Sequence, residues 1–194
     1  MIFEPFFVSS FMVALAELGD KTQLLSLCLI CKFKKPLPII LGIFASTVIN
    51  HAGAAYFGEL ITQTIGPDAL RWILGISFIA MAGWVLIPDK ADDIDVKERG
   101  VSGLGIFLTT FAAFFMAEMG DKTQLATVAL AAKYQAFVMV VIGSTLGMML
   151  ANVPVVYFGQ KVIKKLPLPV IHRIVAVLFV IIGILVLVGD AIRL

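Results

Sequence analysis

Residues 114–130 read FFMAEMGDKTQLATVAL, and residues 11–27 read FMVALAELGDKTQLLSL. Two apolar runs are interrupted by the same charged word: Glu17, Asp20 and Lys21 in the first, Glu118, Asp121 and Lys122 in the second. The surrounding composition says what kind of medium these charges sit in. Of 194 residues, 60% are hydrophobic and 14% charged, with a mean hydropathy of +1.03. Soluble domains carry about a quarter charged residues, and apolar stretches of this length belong to membrane chains. A net charge of +2 gives no electrostatic case for a nucleic-acid partner. No G-x-x-x-x-G-K-[ST] pattern occurs, so nothing suggests ATP as the driving force. The opening MIFEPFF has no basic n-region and does not read as a signal peptide. Cys28 and Cys31 form one C-x-x-C without the second pair that a tetrahedral metal site needs, and read as helix-end packing.

A span needs about 20 mainly apolar residues. Six segments qualify: 5–30, 37–62, 69–88, 103–131, 135–160 and 169–190. Six spans put both termini on one side. Ten Lys and Arg fall at 32–35, 90–99 and 161–173; Arg71, Lys133 and Arg193 fall on the opposite side. The positive-inside bias places the first group in the cytoplasm and both termini outside it.

The chain repeats itself at a constant offset of 101: Glu17 to Glu118, Asp20 to Asp121, the YFG at 56–58 to that at 157–159, Asp89 to Asp190. One offset covers three spans, and an odd number of spans per half forces the halves into opposite orientations. The expected fold is an all-α integral membrane protein, six transmembrane helices forming two inverted three-helix repeats. Residues 1–88 are the first repeat, 89–102 an acidic cytoplasmic linker and 103–194 the second repeat. Inverted repeats are common in secondary transporters, whose sites lie near the midplane.

On an ideal helix Glu17, Asp20 and Lys21 share one face, as do Glu118, Asp121 and Lys122. Ionisable groups at that depth must pair or line a wet cavity. If the two faces meet, four carboxylates and two ammonium groups leave a formal −2, which a divalent cation neutralises. The candidate metal residues are Glu17, Asp20, Gln23, Asn50, His51, Glu118, Asp121, Gln124 and Asn152, with Lys21 and Lys122 as counter-charges. Oxygen ligands suit Ca²⁺, Mg²⁺ and Mn²⁺, and an imidazole tilts the choice toward Mn²⁺. Gly19, Gly120 and Pro154 permit kinks that free backbone carbonyls.

Plainer readings stand beside these. The motif could be an ion-pair network that locks the halves together. His51, Asn50 and Asn152 could be interhelical hydrogen-bonders, and Gln23 and Gln124 could bond a neighbouring backbone. Thr22 and Thr123 point away from the carboxylate face of an ideal helix and read as packing or backbone-bonding residues. Glu59 reads as interfacial, and the loop DKADDIDVKER as a solvated linker without the EF-hand glycine.

ELGDKT and EMGDKT both fit the duplicated E-x-G-D-[KR]-[TS] signature, and the chain resembles the cation-transporter family that carries it, including bacterial MneA-type manganese exporters and Golgi manganese/calcium–proton exchangers. Both copies are complete, and the three-plus-three layout covers nearly the whole chain. The resemblance implies transport of Mn²⁺ or Ca²⁺, with Glu17, Asp20, Glu118 and Asp121 as the core site, and a minimal, bacterial-style member. No resident cofactor is implied. Metal and protons would be the substrates and the bilayer the partner; the oligomeric state stays open. The competing readings are an exporter of amino acids or other small cations, an intramembrane aspartyl-type hydrolase and a non-catalytic scaffold. The only histidines, His51 and His172, form no zincin motif.

Overall fold

Proline and glycine punctuate the helices. In the computed structural model, which describes residues 3–87, 102–159 and 167–188, the chain is helical almost throughout. The elements are α1 (Glu4–Glu17), α2 (Lys21–Phe33), α3 (Pro36–Thr64), α4 (Pro67–Val85), α5 (Gly103–Glu118), α6 (Lys122–Tyr134), α7 (Phe137–Phe158) and α8 (Leu168–Val188). Pro sits in the first turn of α1, α3 and α4, where its missing N–H would have no helical partner anyway. Ser102 caps α5 by accepting from the Gly105 N–H at 3.1 Å. α2 and α6 end alike: Lys34 (φ 53°) and Gln135 (φ 49°) take the left-handed conformation, each a C-cap and each 101 residues from the other.

Each carboxylate motif breaks its helix. Gly19 (φ 82°) and Gly120 (φ 76°) occupy a region where a side chain costs about 1–2 kcal/mol. The expected single helices over 5–30 and 103–131 are therefore corrected to the pairs α1–α2 and α5–α6. The physical reason is the glycine in each E-x-G-D. α5 and α6 meet at 71°.

Length and hydropathy qualify α3, α4, α7 and α8 as spans, and the bent α5–α6 pair as a fifth. That is fewer than the six expected from the sequence; the difference is the α1–α2 segment. The linker expected at 89–102 lies, except for Ser102, outside the described residues.

Packing exchanges helices between the halves. α1 lies chiefly on α7, α5 on α3, and α4 on α8. Small residues let the backbones close in. A Cβ placed on Gly42 would come within 2.7 Å of Thr110 Cβ, and one on Gly143 within 2.5 Å of the Phe6 carbonyl oxygen. Phe78 and Phe179, 101 residues apart, meet with ring centroids 6.1 Å apart in the α4–α8 contact. Outside this core, large apolar side chains such as Phe7, Phe44, Ile76, Leu150 and Ile181 are exposed, as lipid-facing positions must be.

Candidate cation site

The helix breaks aim the motif residues inward. α1 ends on Glu17 and α5 on Glu118; Asp20 and Asp121 are the N-caps of α2 and α6. The one-face geometry expected of a continuous helix is replaced by two broken ends that face each other. All four carboxylates are buried. One carboxylate oxygen each from Glu17, Glu118 and Asp121 lie within 4.8 Å of one another, close enough for one small cation to bridge.

The counter-charges cross over. Lys21 Nζ lies 3.1 Å from Asp121 Oδ1, and Lys122 Nζ lies 3.4 Å from Asp20 Oδ1. Each lysine pairs with the other motif's aspartate, so the motifs form one cluster. At this depth, pairing is what makes the charges tolerable.

Backbone groups freed by the breaks are taken up locally. Gln23 Oε1 accepts from the Gly19 N–H at 2.9 Å, and Gln124 Oε1 accepts from the Gly120 N–H at 2.7 Å. Gln23 Nε2 also donates to the Ala151 carbonyl at 2.9 Å. Both glutamine oxygens therefore brace a break. His172 Nε2 meets the Leu18 carbonyl at 2.8 Å, which ties α8 to the first break.

A second ring of polar groups comes from α3 and α7. Asn152 Nδ2 donates to Glu17 Oε1 at 3.3 Å, while Asn152 Oδ1 accepts from Ser26 Oγ at 2.8 Å. Asn50 Nδ2 donates to the Phe115 carbonyl at 3.3 Å. His51 is fully buried, and neither ring nitrogen has a partner among the described residues. Asp20 and His51 stand outside the three-oxygen group. Pro154 sits inside an unbroken α7.

The packing or backbone-bonding role expected for the Thr123 side chain is corrected. Its hydroxyl lies 3.1 Å from Glu118 Oε2 and 3.4 Å from Asp121 Oδ2. The break at Gly120 rotates α6 so that a residue on the far side of an ideal helix reaches both carboxylates. Thr22, its equivalent, is buried with no partner for its hydroxyl among the described residues.

The sequence profile described as "Divalent cation/proton antiporter GDT1" matches residues 5–93 and 106–193. The chain belongs to this family. It is a transporter and not an enzyme. A "Putative manganese exporter" of Vibrio cholerae is 53% identical over 168 residues, 86% of this chain and 82% of that protein. A "GDT1-like protein" of Synechocystis is 27% identical over 184 residues, 87% of this chain and 89% of its own. "GDT1-like protein 4" of Oryza sativa is 25% identical over 201 residues, covering 92% of this chain and 71% of the plant protein. No solved structure matches the chain.

In this GDT1-family chain, sequence reasoning passed over two site residues. Ser26 is one, linking α2 to Asn152. Its signal was available: Thr127 stands at the same place in the second motif, so both copies carry a hydroxyl three residues after the glutamine. His172 is the other, and no pattern pointed to the carbonyl it meets. Glu59 accepts from the Phe137 N–H at 2.9 Å, at the start of α7, where a carboxylate suits the positive helix end. Cys28 and Cys31 are free and exposed on α2.

Proposed function

We propose that this chain exports a divalent cation, Mn²⁺ before Ca²⁺, from the cytoplasm in exchange for protons. The observation that carries the reading is the shared carboxylate cluster. Oxygens of Glu17, Glu118 and Asp121 converge within 4.8 Å, and each motif lysine pairs across to the other motif's aspartate. Asp20 completes the four-carboxylate core. Gln23, Gln124, Asn50, Asn152 and His51 form the polar shell around it, with Lys21 and Lys122 as counter-charges. Hard oxygen donors accept Mn²⁺ and Ca²⁺ alike; the exporter name of the Vibrio relative favours Mn²⁺.

The same reading holds that six spans form two inverted halves, 1–88 and 103–194, joined by the linker 89–102, in a bacterial inner membrane with both termini outside. α1–α2 is then the counterpart of the bent α5–α6 pair. The family profile's two matched segments, 5–93 and 106–193, support it, as does the exchange of α1 and α5 between the halves.

Charge arithmetic sets the coupling. Four carboxylates and two lysines carry a formal −2, which one divalent cation or two protons cancel. Exchange of one for two is electroneutral. The test is Mn²⁺ uptake into inside-out membrane vesicles under an imposed pH gradient, with the membrane potential clamped by an ionophore. Uptake should follow the pH gradient and ignore the potential. Uptake that follows a sodium gradient and ignores pH would refute proton coupling. An Asp93→Cys variant in the same vesicles, labelled only from the outer aqueous phase, checks the sidedness.

A further inference from the structure

The two motif glutamates are held in different ways, although their motifs are copies. Glu17 Oε1 accepts from Asn152 of α7. Glu118 Oε2 is reached by Thr123 of its own motif. The residues that would make the reciprocal bonds are all present and buried. Thr22 Oγ1, Glu17 Oε2, Glu118 Oε1 and both nitrogens of His51 lack a hydrogen-bond partner among the described residues. Thr22 is the copy of Thr123, and His51 the copy of Asn152, at the same offset of 101.

Buried polar groups without partners are uncommon, and each asks for an explanation. Here four of the five atoms resolve into two bonds, Thr22 to Glu17 and His51 to Glu118, and the second ring nitrogen is left for a further donor. These are the bonds found in the opposite halves. His51 also fits the hydrogen-bond pattern of Asn152. The asparagine amide accepts from Ser26 and donates to Glu17. A neutral imidazole offers one acceptor and one donor as well. Thr127, the copy of Ser26, would supply the donor; here its hydroxyl turns back to the Thr123 carbonyl at 2.8 Å.

We propose that the motif glutamates exchange hydrogen-bond partners between two access states: Asn152–Glu17 with Thr123–Glu118 in the state described, and His51–Glu118 with Thr22–Glu17 in the other. His51 is then a positioning residue that latches α3 to the second motif, as Asn152 latches α7 to the first. The inference rests on the exchanger reading, because it assumes two states that interconvert around one site.

The test uses the full chain in nanodiscs without metal, with Cys28 and Cys31 replaced by serine and spin labels at Leu24 and Phe158. Both positions are exposed, and they report the separation of α2 from α7. Asn152→Leu and Thr123→Val remove bonds of the described state, and each should move the ratio of two distance populations about tenfold toward the second state. Adding Thr22→Val or His51→Leu to Asn152→Leu should move it back by about the same factor. Thr22→Val keeps the side-chain shape, so the test survives if the histidine variant fails to fold. Shifts in one direction from both classes of variant, or no shift from any of them, would overturn the latch. Wild-type Mn²⁺ flux is measured alongside. Flux without the opposed shifts sinks the latch alone, and absence of flux sinks the exporter reading.

Discussion

The first motif is sealed and the second is open. Around Gly19, Gln23 is fully buried and spans from the break to α7, and Ser26 and Asn152 continue that link to Glu17. Around Gly120, Gln124 reaches only its own break among the described residues. It lines a cavity of about 460 Å³ together with Asn50, Phe57, Phe115 and Met119. The lysines differ in the opposite sense: Lys122 is 4% exposed and Lys21 22%. Near-identical words thus take different environments. A duplicated sequence fixes which residues face the site, and the packing of the partner half decides how each is engaged.

The largest expected effect abolishes the function while leaving the comparison standing. Replacing Glu17, Asp20, Glu118 or Asp121 by its amide removes a charge from the shared cluster, and Mn²⁺ flux into vesicles should fall to background with the protein still inserted. Because the motifs form one cluster, the outcome should be the same from either half. Normal flux from both amide variants of one motif would show that the other motif suffices and would break the shared-site reading.

The crossed ion pairs sharpen the contrast. Removing one partner of a buried pair strands the other charge, at a cost of about 3–5 kcal/mol. Lys122→Met takes away the 3.4 Å pair with Asp20, in which both side chains are almost fully buried, and should lower the unfolding temperature in detergent strongly. Lys21→Met removes the pair with Asp121, but the hydroxyl contact from Thr123 remains, and Lys21 is the less buried of the two lysines. Its cost should be nearer the about 1–3 kcal/mol of an unsatisfied hydrogen-bonding group. Equal losses would mean that the difference in exposure has no energetic weight.

Much of this was legible in the sequence, for identifiable reasons. The charged word inside an apolar run marks the site because membrane depth leaves carboxylates few other options. The constant offset of 101 told which residues correspond, and Lys34 with Gln135, or Phe78 with Phe179, keep that correspondence in three dimensions. What failed was the assumption of ideal helices. An E-x-G-D word read on a continuous helix places Thr123 away from the carboxylates. A positive φ at Gly120 places it on them. Likewise a glutamine four residues past the glycine of a helix break is positioned to accept that glycine's freed N–H. The sequence alone left that role and metal ligation both open for Gln23 and Gln124.

The glutamines give the smallest and finest test of the difference between the halves. Gln23→Leu strands the Gly19 N–H and the Ala151 carbonyl, both partnered now by one amide. Burial keeps water from replacing it, so each orphan costs about 1–3 kcal/mol. Gln124→Leu strands the Gly120 N–H alone, at a position that is exposed. One orphan replaces two, so the loss should be about half that of Gln23→Leu. The unfolding temperature in detergent should therefore drop more for Gln23→Leu than for Gln124→Leu. The two should agree in one respect: as braces and not core ligands, neither should lower equilibrium Mn²⁺ affinity as far as the carboxylate variants do. A Gln124→Leu variant that folds normally but loses Mn²⁺ affinity as Glu118→Gln does would make that amide a ligand. The open side of the cluster would then be where the cation is first met.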